Sequence, residues 1–243
     1  MNSTASMLSL RGVHTHIGAY HILHGVDLDV PRGELTMLLG RNGAGKTTTL
    51  RTIMGLWQAS QGQVLLGGQD ITRLPTPAIA QRSVAYVPEN MGIFADLSVK
   101  ENLLLAARQA SHAAQMDEAR LQWIFGLFPA VEKFWNHPAG KLSGGQKQMV
   151  AVARAIVEPR DLLIIDEPSK GLAPAIIQNM IAAFEQLKAA GVTILLVEQN
   201  LAFATRLGDS VAVMDNGRVV HAGRMADLAA DKALQQSLLG LAL

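Results

Sequence analysis

Residues 40–47 read Gly40-Arg41-Asn42-Gly43-Ala44-Gly45-Lys46-Thr47, a complete G-x-x-x-x-G-K-[ST] string. An apolar run, residues 34–39, precedes it and reads as a buried strand; a helical stretch follows and ends near Gly55. Strand, glycine-rich loop and helix in this order present consecutive backbone N–H groups and a helix N-terminus to an anion. Lys46 supplies a point charge to the β- and γ-phosphates of a nucleotide, and Thr47 offers a hydroxyl to Mg²⁺. Thr48 continues the loop into the helix and belongs to the same nucleotide-binding set. The predicted fold is α/β, with a phosphate-binding loop at a strand end.

Working outward, Leu162-Leu163-Ile164-Ile165-Asp166-Glu167 is an apolar strand ending in two adjacent carboxylates. Neighbouring positions at a strand end point differently and so suit different tasks: Asp166 for the metal, Glu167 for polarising an attacking water. Between the two motifs lies Leu142-Ser143-Gly144-Gly145-Gln146. A serine and two glycines opening a helix form a second anion-binding geometry. A second phosphate-binding helix start is redundant in a single-site enzyme. It has a use if it serves a nucleotide held by another copy of the fold.

The rest of the chain fits this frame. Residues 7–13 and 26–30 alternate as half-buried strands, and residues 63–66 and 84–87 are short strands. From Ser98 the pattern becomes helical, with Ser98 and Glu101 at capping-box spacing. A second helix is expected over 116–127, Pro129 and Pro138 punctuate a loop, and Ser143 caps a third helix reaching about Val157. The α/β pattern then returns. Ile177, Met180, Ile181, Phe184 and Leu187 recur at helical spacing after Pro174, residues 192–197 form a strand, and Asp215-Asn216-Gly217 marks a hairpin. The tail, 226–243, reads as short helices.

Composition narrows the function classes. The 243 residues are 49% hydrophobic and 17% charged, as in a folded globular chain long enough for an extensive core. With no cysteine there is no disulfide, thiolate metal site or cysteine nucleophile. The net charge of +1 is spread without a basic block, which argues against nucleic-acid binding. No apolar run approaches the roughly 20 residues of a membrane span, and the first residues read as neither signal peptide nor anchor. Any membrane role has to come through a partner.

The three motifs in this order resemble the ABC ATPase family over about residues 8–222. The resemblance implies a RecA-like P-loop core with an N-terminal antiparallel β lobe and an inserted helical subdomain. In this sequence the ATPase domain is then 7–225, with core and β lobe in 7–88 and 161–225, the helical subdomain with its signature in 89–160, and a helical tail in 226–243. It further implies ATP and Mg²⁺ as cofactors, and a head-to-tail dimer with a second ATP-binding subunit. Carried over residue by residue, Tyr20 is similar to the aromatic that stacks on adenine, and Gly40–Thr47 with Thr48 to the phosphate loop. Ser143, Gly144, Gly145 and Gln146 are similar to the signature, Asp166 to the magnesium aspartate and Glu167 to the catalytic glutamate.

Three positions depart from the commonest family pattern. Glu89 follows Pro88 where glutamine is usual, Ala173 replaces an aspartate, and Gln199 replaces the switch histidine. Together with Gly171-Leu172-Ala173-Pro174, Val197-Glu198-Gln199-Asn200 and Gly40-Arg41-Asn42-Gly43, they resemble the second ATPase subunit of branched-chain amino acid importers. Urea or short-amide importers share much of this pattern. The subgroup implies transmembrane permease partners, with a periplasmic binding protein acting indirectly; the expected contact is the groove around Glu89–Leu97, including Ile93 and Phe94 as exposed apolar residues, and the alternative is that Ile93 and Phe94 are core. The chain is then peripheral, at the cytoplasmic face of the inner membrane. Glu89 is a candidate metal or metal-water ligand, and Gln199 joins Lys46 and Glu167 as a candidate catalytic residue. Gln199 can donate a hydrogen bond but cannot take up a full proton as histidine does. The signature argues against a P-loop kinase, and the absence of an Asn-Lys-x-Asp string argues against a GTPase. An ABC ATPase acting on nucleic acid is the remaining alternative. Such proteins carry zinc motifs, long coiled coils or fused ATPase units, and none appears.

Overall fold

The structure, a computed structural model, describes residues 6–107 and 116–240. The first half of the chain runs β1 (Ser6–Ile17), β2 (Tyr20–Pro31), β3 (Leu35–Gly40), α1 (Lys46–Ile53), β4 (Ala59–Leu66), β5 (Gln69–Asp70), α2 (Thr76–Ala80) and β6 (Val84–Val87). The insert holds α3 (Val99–Leu104), α4 (Glu118–Leu127), α5 (Pro129–Lys133), a 3₁₀ turn (Ala139–Lys141) and α6 (Gly144–Ala155). The chain then continues through β7 (Leu162–Asp166), α7 (Pro174–Ala189), β8 (Thr193–Val197), α8 (Leu201–Leu207), β9 (Ser210–Asp215), β10 (Arg218–Arg224), α9 (Met225–Ala230) and α10 (Lys232–Leu239).

Two sheets result. An antiparallel lobe has the order β2-β1-β4-β5, and a six-stranded sheet has the order β10-β9-β3-β8-β7-β6. In the larger sheet β9, β3, β8, β7 and β6 are parallel and only β10 is antiparallel. Both faces of this parallel sheet are covered, so its strands are apolar throughout rather than alternating. Every residue of β3, β7 and β8 is buried. Alternate side chains enter different cores. Leu163, Ile165, Ile194 and Leu196 pack with the helical insert, while Leu162, Ile164, Leu195 and Val197 pack with the β lobe. The central order β3-β8-β7 brings three loops together at the carboxyl edge of the sheet, where ligands of open α/β folds bind.

Local expectations met their physical limits at identifiable places. The strands read at 7–13 and 26–30 are parts of one long hairpin, interrupted by register shifts at Leu10/Val13 and Val13/His14 that break the alternation. Pro129 opens α5 rather than only punctuating a loop, because proline is well suited to a first helical position. The Ser98 capping box forms, as does the Asp215-Asn216-Gly217 hairpin, whose Asn216 and Gly217 both have positive φ. The tail packs onto the core: Leu228 is buried, and Leu239 lines a cavity of ≈ 350 Å³ with Gly40, Arg41 and Gln199. Residues 241–243 of the expected tail, and 108–115 of the expected helical subdomain, lie outside the described residues.

Candidate active site

The loop after β3 turns sharply because Gly40 has φ +147°, and a β-carbon there would run into the Met214 carbonyl of the neighbouring β9. Only glycine lets the loop leave the sheet this close to its neighbour. Lys46, at the first turn of α1, bends back over the loop and donates to the carbonyls of Gly40 (2.8 Å) and Arg41 (3.0 Å). Its Nζ lies 3.9 Å from Glu167 Oε1. Burial pushes the Lys46 ammonium pKa down, opposed by Glu167, Asp166 and Glu198. Thr47 and Thr48 are half-buried on the same turn, whereas Arg41, Asn42 and Gly43 are exposed.

β7 delivers the carboxylates from the opposite side. Thr47 Oγ1 donates to Asp166 Oδ1 across 3.3 Å. Asp166 is 1% exposed and its Oδ2 is buried without a partner. Burial raises its pKa to about 6, against the Thr47 hydrogen bond that lowers it; Glu167 and Glu89 raise it further. A hydroxyl and a carboxylate with one oxygen unpaired form a hard oxygen donor set suited to Mg²⁺, which binds through one or two protein oxygens, phosphates and water. The residues present therefore fit the metal.

Glu167 has φ +49°, a region that a non-glycine residue seldom adopts. Such strain persists where the surroundings over-determine it. Here the Glu167 N–H donates to the Val197 carbonyl at 3.0 Å, and Gln199 Nε2 donates to Glu167 Oε1. Gln199 Nε2 also donates to Asn42 Oδ1 at 2.7 Å. The residue at the switch position thus joins the phosphate loop to the glutamate.

Lys170 Nζ lies 2.6 Å from Glu89 Oε1 and 3.3 Å from Glu167 Oε2. Glu89 accepts from Lys170 and is not hydrogen-bonded to Thr47 or Asp166, so the structure does not gather it into that hydroxyl–carboxylate pair. Its negative charge is offset locally instead. Tyr20 is 76% exposed at the tip of the β1–β2 hairpin and free to stack on a flat ligand. Ser143 and Gly144 are exposed at the start of α6, and Ser143 forms a reciprocal capping box with Gln146. Gly145 is buried against Ile176, where a β-carbon would stand 2.8 Å from Ile176 Cγ2. Among the described residues, no hydrogen bond or ion pair links Ser143–Gln146 to the phosphate loop of the same chain. Sequence reasoning gives no role to Glu198, although it lies in the Val197–Asn200 string, nor to Lys170, just before the Gly171–Pro174 run. Glu198 is buried and accepts from the Ser169, Gln199 and Asn200 backbone N–H groups. A glutamate following an apolar strand was the available signal.

A loop holding a buried lysine, a hydroxyl–carboxylate pair and a second carboxylate at the edge of a parallel sheet define a P-loop ATPase. The ABC transporter family profile matches residues 23–170. The chain belongs to that family and is one of its ATPases.

Within the family it stands with the branched-chain amino acid transport ATP-binding proteins. It is 39% identical over 237 residues to the high-affinity branched-chain amino acid transport ATP-binding protein BraG of Pseudomonas aeruginosa, covering 96% of this chain and 100% of that one. It is 36% identical to the probable branched-chain amino acid transport ATP-binding protein LivF of Archaeoglobus fulgidus, covering 91% of this chain and 93% of that one. Among solved structures, the ADP conformation of an ABC transporter's ATP-binding cassette superposes with TM-score 0.81 at 25% identity, over 95% of this chain and 97% of that one. The structure of an ATP-binding subunit of an ABC transporter gives TM-score 0.79 at 32% identity, over 94% of each chain. No helix among the described residues is long and apolar enough to cross a membrane.

Proposed function

We propose that this chain is the MgATP-driven motor of an importer for branched-chain or other hydrophobic amino acids, seated on the cytoplasmic face of the inner membrane. The observation that carries the motor reading is the 3.3 Å contact of Thr47 with Asp166, with Glu167 next in the chain and hydrogen-bonded by Gln199. Thr47 and Asp166 hold the metal, Lys46 and the loop N–H groups hold phosphate, and Tyr20 stacks on the base. The metal, when bound, neutralises charge on the phosphates. Glu167 orients the attacking water, and Gln199 fixes the position of Glu167. The exposed Ser143–Gly144 helix start completes the site of a second ATPase subunit, head to tail.

A groove of ≈ 820 Å³ between core and insert supports the permease contact. Leu56 (50% exposed) and Leu105 (61% exposed) line it beside Pro88 and Asn90. Phe94, exposed nearby, lies under the Arg154 guanidinium at 5.7 Å. An apolar groove of this size suits a permease's cytoplasmic helix. A periplasmic binding protein acts through that permease. The relatives' names support the choice of amino acid.

The test is to purify the chain with its membrane partners, reconstitute the complex and assay uptake of leucine, urea and acetamide. Leucine-dependent stimulation of ATP hydrolysis is expected. Stimulation by urea or acetamide alone would replace the substrate and leave the motor intact. Co-purification with nucleic acid and no membrane protein would overturn the transport reading.

A further inference from the structure

Glu198 follows β8 and is 2% exposed. A carboxylate this deeply buried persists when hydrogen bonds stand in for water. Its oxygens divide the work. Oε1 accepts from the Ser169 N–H at 2.9 Å, and Oε2 accepts from the N–H groups of Gln199 (3.0 Å) and Asn200 (3.2 Å). Ser169 is two residues past Glu167, and Gln199 follows Glu198 directly. The Gln199 side chain returns to Glu167 Oε1. The contacts therefore close a ring: Glu167, Ser169, Glu198, Gln199 and back to Glu167. A backbone bond, Glu167 N–H to the Val197 carbonyl at 3.0 Å, also ties the two loops at this point.

We propose that Glu198 is a positioning residue for hydrolysis, a buried clamp that sets the loop after Glu167 and the switch residue Gln199 in register with each other. The proposal rests on the reading of Glu167 as the carboxylate that orients water. Burial raises the Glu198 carboxyl pKa, and the Ser169, Asn200 and Gln199 hydrogen bonds offset only part of that rise. Glutamine at the switch position depends on this support. An uncharged amide has only hydrogen-bond geometry to hold Glu167, and its backbone is set by Glu198 Oε2. The clamp acts on orientation and reaches the phosphate loop only through the Gln199–Asn42 bond and the Glu198 charge near Lys46, so it should govern turnover far more than nucleotide affinity.

The experiment compares Glu198→Ala, Glu198→Gln, Gln199→Ala, Glu167→Gln and the Glu198→Ala/Gln199→Ala double variant in the transporter complex purified with this chain. Thermal melts and MgATP titrations accompany turnover. Misplacing a reacting group by about 1 Å costs up to roughly 100-fold in rate. Glu198→Ala should lower kcat about 10- to 100-fold, with MgATP affinity within about threefold. Glu198→Gln keeps the acceptor for the Ser169 N–H but turns an amide donor toward the Gln199 and Asn200 N–H groups, so its turnover should fall between parent and alanine. The double variant should be no slower than the slower single variant, because both act through one ring. Parental turnover in a folded Glu198→Ala, additive losses, or kcat and affinity falling together with melting temperature would each overturn the clamp. If Glu198→Ala does not fold, Glu198→Gln and its double variant with Gln199→Ala decide by the same criteria. Full turnover by Glu167→Gln would remove the underlying reading itself, whereas its loss beside an active Glu198→Ala removes only the clamp.

Discussion

Thr47 Oγ1 donates to Asp166 Oδ1 at 3.3 Å, which joins the phosphate-loop helix to the end of β7 while Asp166 Oδ2 stays buried and unpaired. The fold thus holds a carboxylate it does not solvate. Burial raises the Asp166 pKa to about 6, so the folded chain retains a proton that the unfolded chain loses near pH 4. Stability then falls as pH rises through that window, and at neutral pH the nucleotide-free fold carries a buried charge. Asp166→Asn removes it. The variant should melt at or above the parent's temperature without nucleotide, yet gain far less from MgATP. Thermal melts at pH 7.5 with and without MgATP check both halves. A melting temperature several degrees below the parent's would show that the carboxylate is structural rather than reserved for a metal.

Lys46 is tied to the carbonyls of Gly40 and Arg41 and is 5% exposed. Lys46→Ala should leave the sheet intact, because the loop's turn rests on Gly40, but remove the charge aimed at phosphate. A lost charge-assisted contact to a buried anion is worth roughly 2–4 kcal/mol. ATP affinity should therefore fall at least about tenfold by fluorescent-nucleotide titration, with the circular dichroism spectrum unchanged. Near-normal affinity in a folded variant would detach this loop from the nucleotide.

Glu167 lies within 3.9 Å of Lys46 and 3.3 Å of Lys170. Glu167→Gln keeps its size and hydrogen-bonding reach but removes the carboxylate that we propose orients water. Turnover should fall by about 100-fold or more with nucleotide affinity little changed. ATP should then hold the subunit in a closed dimer, visible by light scattering. Turnover equal to the parent's would reassign the catalytic carboxylate.

How far the sequence reaches is clearest in these same residues. Lys46 and Thr47 are legible because they open a helix after an apolar strand and a glycine-rich loop, and Asp166 and Glu167 because they close an apolar strand; both patterns are local. The Thr47–Asp166 contact spans 119 residues and depends on β3 and β7 flanking β8, an order that periodicity cannot give. The Glu198–Ser169 clamp spans 29 residues and arises from the adjacency of β7 and β8. Lys170 was missed for a different reason. An exposed lysine in a loop acquires meaning only once Glu89 and Glu167 are both within its reach. The β1–β2 hairpin was read short because its register shifts scramble the two-residue period on which strand recognition rests.

Gln199 supplies the sharpest test of the switch position. Its Nε2 donates to both Glu167 Oε1 and Asn42 Oδ1, bridging the carboxylate and the phosphate loop. An amide has no titration near neutrality, so the parent should show no pH step in turnover attributable to this position. Gln199→His keeps a donor at similar reach and adds a group with an ordinary pKa of about 6.5. The Glu167 carboxylate favours the charged imidazole, so the new step should fall at or above that value. Gln199→Ala removes the donor, frees Glu167 from one of its restraints and should slow hydrolysis about tenfold while MgATP affinity stays within about threefold. Asn42 loses the same partner, so Asn42→Ala combined with Gln199→Ala should cost little more than Gln199→Ala alone. Steady-state kinetics of these variants from about pH 5.5 to 8.5 separate the outcomes. If Gln199→Ala matches the parent's turnover at every pH, the bridge has no part in hydrolysis, and the backbone of Glu167 with Lys46 and Lys170 suffices to hold it.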